Sequence, residues 1–309
     1  MSDVAILRPC YRFLHICYCS TDGGPTKDFF VNNLAMKNTM NTPMERTPGG
    51  LLGIDHEIES QARFVYDRRG PRVSPAIEIQ HWIDPPIEGT PSIDPFEVGI
   101  KAIGLAVPDL DAAVAKMLAN GCTVVAQGTT PFNETAATLL DSQGVTVELV
   151  ADPALGDAET QMHHLRLTVT DLEASLPFYD SLGFDLIERG TISDASFVGH
   201  NGEATATYAR LRLRDEPFEA RLVQWQTPTS HGRHYKNPFH SGLFRVALGV
   251  EDTRASYVAM GAAGSVFDRP PQDVVLSGTP VPNMWITFIT DPDGISYEFV
   301  ERERSAFRY

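Results

Sequence analysis

Apolar and polar positions alternate in short runs that recur four times along the chain. The clearest is His164-Leu165-Arg166-Leu167-Thr168-Val169-Thr170-Asp171-Leu172, a period-two run that ends at a residue type favoured as a helix N-cap. Equivalent runs are Leu14-His15-Ile16-Cys17 leading to Asp22, Ala102 through Leu110, and Arg245 through Asp252. After Asp171 the period changes to that of a helix: Leu172, Leu176, Phe178, Tyr179 and Leu182 form a stripe, and Gly183 closes it. Strands are predicted at 184–190, 205–213 and 219–226, so the unit reads βαβββ.

The copies are related in alternation. His15 to His164 and Asp22 to Asp171 share one offset, 149 (164 − 15; 171 − 22). Asp109 to Asp252 is 143 (252 − 109), and Glu148 to Glu298 is 150 (298 − 148). Modules one and three therefore correspond, as do two and four, which is the pattern of a duplicated two-module unit. The expected domains are 1–153 and 160–309, with modules at about 10–85, 98–153, 162–228 and 242–303. Linkers are read at Asp84 to Pro95 and at Thr227 to His240, and the domain boundary at 151–157. Residues 38–62 show no clear pattern.

Three stretches, His164 through Leu172, Phe178 through Phe184, and Asp291-Pro292-Asp293-Gly294 through Glu298, resemble the vicinal oxygen chelate superfamily, the glyoxalase/bleomycin resistance/extradiol dioxygenase group. The resemblance covers about residues 12–302 and implies an α+β fold of four βαβββ modules paired into two glyoxalase-like domains. It also implies half-open cups whose metal ligands project from the first and last strand of each module. Carried over residue by residue, those positions are His15, Glu78, Ala102 and Glu148 in the first half, and His164, Arg221, Arg245 and Glu298 in the second.

The residue types bear on this in part. Glu78, Glu148 and Glu298 each sit in the middle of an apolar strand, where a carboxylate needs a cation or a metal. His15, Glu78 and Glu148 make a borderline-hard set suited to Fe, Mn, Ni, Co or Zn, so the first half is expected to carry the metal, with Glu78 or Glu148 as catalytic base. The second-cup alternative is His164 with Glu298. Arginine cannot ligate a metal, so Arg221 and Arg245 read as ligand-binding cations, and Arg245 is free to neutralise Glu298. His234 and Tyr235, in a histidine-rich linker, are further candidates for a cup rim. The structural readings are an ordinary strand histidine at His15, small buried thiols at Cys17 and Cys19, and glutamates paired with Arg12, Arg63, Arg210, Arg212 or Arg214.

Composition narrows the partners. Lysine and arginine number 25 against 40 aspartates and glutamates, a net charge of −15 in 309 residues. That disfavours nucleic acid and an anionic membrane, and leaves a small-molecule substrate. The start Met1-Ser2-Asp3-Val4 does not read as a secretory leader, no apolar run is long enough to span a bilayer, and four scattered cysteines fit a cytoplasmic protein, monomer or homodimer. The functions expected are a metal-dependent isomerase or lyase acting through a metal-stabilised enolate or oxyanion, or an Fe(II) extradiol ring-cleavage dioxygenase. From another class, the expectation is a metal-free protein that binds a drug-like or aromatic molecule.

Overall fold

The computed structural model describes residues 7–156, 159–214 and 216–307. The chain start, on which the leader reading rests, and Asp157 of the domain boundary lie outside the described residues. Module 1 comprises β1 (Arg12–Ser20), α1 (Gly23–Leu34), β2 (Lys37–Asn41), β3 (Glu45–Pro48), β4 (Glu57–Tyr66) and β5 (Ala76–Asp84). Module 2 comprises β6 (Gly99–Val107), α2 (Leu110–Ala119), β7 (Thr123–Thr129), β8 (Thr135–Leu140) and β9 (Thr146–Ala151). In module 3, β10 (Gln161–Thr168) leads through α3 (Leu172–Leu182) to β11 (Phe184–Ile192), β12 (Thr205–Leu213) and β13 (Glu219–Thr227). Module 4 closes the chain with β14 (Gly242–Val250), α4 (Thr253–Ala262), β15 (Gln272–Val274), β16 (Met284–Thr290) and β17 (Ser296–Glu301). The unpatterned stretch 38–62 holds β2, β3 and the start of β4, in which exposed polar residues dominate.

Each module opens the same way for the same reason. Asp22, Asp109, Asp171 and Asp252 sit in extended backbone, and each accepts a hydrogen bond from a backbone N–H of the following helix. Each such cap contributes about 1 kcal/mol. The last strands of modules 2 and 4 start from buried aspartate turns. Asp141 Oδ1 accepts from the Gln143 and Val145 N–H groups, and Asp291 Oδ1 from those of Asp293 and Ile295. Each turn sets the register of the strand that carries Glu148 or Glu298.

The strands form two sheets, and the sheets do not follow the halves of the chain. One runs β15-β16-β17-β14-β1-β5-β4-β2, with β3 also paired to β4; it joins module 4 to module 1. The other runs β11-β12-β13-β10-β6-β9-β8-β7 and joins module 3 to module 2. The seams are antiparallel: Ile16 lies opposite Val246 across β1–β14, and Leu165 opposite Ile103 across β10–β6. This corrects the expected grouping of ligand positions. His15 and Glu78 share a sheet with Arg245 and Glu298, whereas Glu148 lies in the other sheet with Ala102, His164 and Arg221. Equal offsets identify equivalent strands, and say nothing about which strands pair.

Alternation separates core from cup. On β5, Ile77 and Ile79 enter the main core; on β9, Val147 and Leu149 do. Glu78 and Glu148, between them, face the opposite way, into the cups. The main core draws on both sheets and on the helices, so the sheets bury one face together.

Because each seam joins distant parts of the chain, a fragment of residues 160–309 leaves the β10 and β14 edges unpaired. It should run as a dimer or larger species by light scattering, while the full chain shows no such edge. A well-folded monomeric fragment would contradict this account.

Candidate functional site

The cup built by modules 1 and 4 has a charged floor from four neighbouring strands. His15 comes from β1, Glu78 from β5, Arg245 from β14 and Glu298 from β17. Arg245 joins the two carboxylates. Its Nη2 donates to Glu78 Oε2 at 2.8 Å and Oε1 at 3.2 Å, and its Nε donates to Glu298 Oε2 at 2.9 Å. His15 Nε2 lies 3.4 Å from Glu78 Oε2 and 3.5 Å from Glu298 Oε2, ion-pair contacts that leave it without a hydrogen bond. Arg245 Nη1 also lacks a partner. Burial pushes the Glu298 carboxyl up, but the Arg245 charge with His15 beside it outweighs this and holds it well below the usual range.

Above this floor is an open cavity of about 680 Å³. Its walls are largely apolar, among them Leu14, Met40, Phe64, Leu276, Met284 and Ile286. A space of this size suits a drug-sized ligand. Cys17 and Cys19 share the β1 face with His15, but they are fully buried beneath the cup with Trp82 and Phe244.

Three of the four floor residues are metal-ligating types, so the fit of a divalent ion can be tested on them. The fourth, Arg245, is a permanent cation hydrogen-bonded to both carboxylates that would have to ligate. A divalent ion would have to break those bonds and sit beside an uncompensated guanidinium. The residues as arranged do not fit a metal; the guanidinium supplies the positive charge there.

The cup of modules 2 and 3 carries the equivalent floor with different chemistry. Ala102 stands at the Arg245 position, and Glu148 is held by His164 Nε2 and Arg166 Nε, each at 2.7 Å. Burial lowers the His164 pKa and the Arg221 charge adds to this, against the pull of Glu148 and Glu134. Its ring lies where a Cβ on Gly104 would fall. Arg221 makes a two-pronged pair with Glu134, at 2.7 and 2.5 Å, and covers the Phe132 ring. Aromatic side chains fill most of this cup: Phe96, Phe132, Phe197, Tyr208 and Trp225 form one buried cluster.

The expected site residues are thus divided. His15, Glu78, Arg245 and Glu298 come together; Glu148, His164 and Arg221 lie in the other cup, where Glu148 meets His164 and Arg221 pairs with Glu134. His234 and Tyr235 line neither cup. His234 is buried with Nε2 on the Phe244 carbonyl at 2.6 Å, and the Tyr235 hydroxyl accepts from the Ser92 N–H while its ring stacks on His240. Glu298 pairs with Arg245, as read from sequence; Glu78 shares that arginine and Glu148 pairs with Arg166, rather than with Arg12, Arg63, Arg210, Arg212 or Arg214. Arg166 was legible: it lies two residues from His164 on the same strand face.

Gly104→Ala should destabilise the protein by about 1–3 kcal/mol, because the His164 ring has nowhere to move. Gly261→Ala, on an open face of α4, should leave it unchanged or raise stability by up to about 1 kcal/mol. Urea midpoints check both; equal effects would refute the packing argument. A second expectation concerns acid. Burial raises the Glu148 pKa, but Arg166 and His164 outweigh it and hold it at about 2. That stabilisation is complete above the unfolded-state value of about 4.3 and is lost as pH falls toward the folded one. Glu148→Gln should flatten the acid limb of a midpoint-against-pH profile, and an unchanged limb would sink the assignment.

Known proteins agree with this architecture. The family model described as Glyoxalase/Bleomycin resistance protein/Dioxygenase superfamily matches residues 161–299. A lactoylglutathione lyase of Haemophilus influenzae is 30% identical over 148 residues, 46% of this chain and 93% of that protein. A probable lactoylglutathione lyase of Vibrio cholerae is 23% identical over 147 residues, 46% and 91% of the two chains. Two solved structures cover nearly the whole chain and speak to the fold. Glyoxalase I from Zea mays has a TM-score of 0.70 at 19% identity, over 96% of this chain and 93% of that one. A putative dioxygenase from Bacillus subtilis has a TM-score of 0.61 at 13% identity, over 95% and 86%. With three βαβββ modules, a first module that carries one strand more, and two cups, the chain belongs to the glyoxalase/bleomycin resistance protein/dioxygenase superfamily.

Proposed function

We propose that the protein binds a small, largely apolar organic molecule, by an oxygen-bearing end, in the cup of modules 1 and 4, and does so without a divalent metal. The observation that carries this reading is the Arg245 guanidinium lying between Glu78 and Glu298. The metal-dependent isomerase or lyase and the Fe(II) dioxygenase both need a ligand cage open to a cation, and here a fixed cation is built in. Arg245 Nη1, which has no hydrogen-bond partner, and His15 Nε2, which meets the two glutamates only at 3.4 and 3.5 Å, are the groups to which a ligand carbonyl or hydroxyl would hydrogen-bond. The apolar walls supply the rest of the affinity.

The same floor supports one chemical step without a metal. A carbonyl oxygen held by Arg245 would be stabilised as it gains negative charge, and His15 or a glutamate would take the proton from the neighbouring carbon. The contact of His15 Nε2 with Glu78 is what favours this second, enzymatic reading. It keeps the isomerase-type outcome while replacing the metal by a guanidinium.

Protein incubated with Ni(II), Co(II) or Zn(II) and then dialysed should retain only sub-stoichiometric metal by elemental analysis. Arg245→His, which restores a fourth ligating residue, should retain about one ion per chain. 1-Naphthol should raise the melting temperature of the wild type, and Ala62→Trp, which fills the cup from β4, should abolish the shift. Near-stoichiometric metal in the wild type that is lost in Glu298→Ala would overturn the proposal.

A further inference from the structure

The cup of modules 2 and 3 is not completely filled. A cavity of about 270 Å³ remains beside Phe96 and Val198. Two cations line it, Lys101 and Arg166, and no carboxylate does. Both are buried, Lys101 to 6% and Arg166 to 2% exposure. Arg166 gives its Nε to Glu148, but its Nη1 has no hydrogen-bond partner. Lys101 Nζ reaches only the Ser92 carbonyl and hydroxyl, each at 3.3 Å, and has no ion pair among the described residues. Burial, reinforced by the Arg166 charge, lowers its pKa to about 8 against the pull of Glu97 and Asp94.

The fold does not require these cations. The internal repeat provides the comparison: Arg166 corresponds to Cys17 (166 − 149) and Lys101 to Phe244 (101 + 143). In the other cup those two residues belong to one apolar cluster with Cys19, Ile54 and Trp82. The backbone is shared as well. On β6 and on β14 the pairing slips at this point, from Arg166↔Ala102 to Leu167↔Ile100 and from Ile16↔Val246 to Tyr18↔Leu243. The slip leaves Lys101, like Phe244, as an extra residue that joins its neighbour on the cup side. One copy uses the bulge to complete an apolar cluster; the other uses it to bury an ammonium beside a guanidinium. Glu148 balances Arg166, but Lys101 has no ion pair among the described residues, so one buried positive charge beside the cavity is left without a counter-ion, which is costly unless an anion joins it.

We propose that this cavity binds a small organic monocarboxylate, its carboxylate between Lys101 Nζ and Arg166 Nη1 and its apolar body against Phe96, Leu140 and Val198. The site is separate from the open cup and does not depend on the function assigned to it. The Arg166 fork accepts a carboxylate oxygen without releasing Glu148, since Nε and Nη1 are different donors. Val125 and Ile93 complete an apolar wall that a fully hydrated inorganic anion would not exploit.

Benzoate is the probe, titrated calorimetrically into the full chain. The wild type should show saturable binding, with benzamide, the neutral isostere, at least about tenfold weaker. Lys101→Met should weaken benzoate by a similar factor while keeping the wild-type melting transition. Ala62→Trp, which fills the other cup, should retain this binding in full. Absence of saturable benzoate binding would overturn the proposal. So would equal affinity for benzamide, or binding that Ala62→Trp removes and Lys101→Met leaves intact. If Lys101→Met does not fold, the benzamide comparison and Ala62→Trp decide the question alone.

Discussion

Everything in this molecule depends on which first strands pair. A βαβββ module ends on one side in its opening strand, whose outer edge is a row of unpaired amides. Here β10 takes β6 as its partner and β1 takes β14, both antiparallel. The short connection from β9 to β10 delivers module 3 beside module 2. Module 4 must then return to module 1, and the two long linkers run side by side to let it, touching at Glu88 and His240 and again at Glu97 and His231. The choice of partner fixes the composition of each floor. With adjacent halves paired, His15 and Glu78 would face Ala102 and Glu148; with this topology they face Arg245 and Glu298.

The two floors then show two ways to keep carboxylates on the inside of a cup. A buried glutamate is tolerated only with a compensating charge or dense hydrogen bonding. In one cup a single guanidinium serves two glutamates and leaves donors to spare. In the other, Glu148 is held by His164 and Arg166, and the surrounding arginines are themselves paired with Glu134 and Glu219. The first arrangement is under-satisfied and lies below an open cavity. The second also leaves donors unpartnered, Arg166 Nη1 and Arg221 Nε, and lies below a plug of aromatic rings that leaves only a smaller cavity. Unspent hydrogen-bonding capacity thus lies next to accessible volume in both cups, below an open cavity in one and beside a small one in the other.

The fold was readable because its determinants are local. The period-two runs, the capping aspartates and the aspartate turns before Glu148 and Glu298 each act within a few residues, and all recur. That Glu78 and Glu148 face into a cup was implied by the family resemblance, and alternation along their strands supported it. What failed was non-local. An offset of 149 says that β1 and β10 are alike, and likeness does not determine adjacency. Residues 38–62 were opaque because β2 and β3 expose most of their side chains, so no buried face imprints a period on them. His234 looked like rim chemistry because it sits in a linker rich in histidine. That linker is pinned between modules, where a buried ring with its nitrogen on the Phe244 carbonyl is a structural tie.

Duplication explains why so much charge can be redistributed without loss of the fold. The main core is built from residues that face away from the cups, such as Ile77, Ile79, Val147 and Leu149, and it draws on both sheets at once. Substitutions on the concave faces therefore change floor chemistry while leaving that shared core in place. The exchange of roles between Arg245 and Ala102, and between Phe244 and Lys101, follows from this separation. Each pair occupies the same bulged turn of equivalent strands, so the backbone accepts either member. One cup holds a cation, Arg245, on its floor and keeps its volume. The other has Ala102 at the equivalent position, takes its cations from neighbouring positions and fills most of its volume with aromatic rings. A scaffold with two copies of one floor can thus carry two unlike pockets, provided that neither relies on the other for its packing.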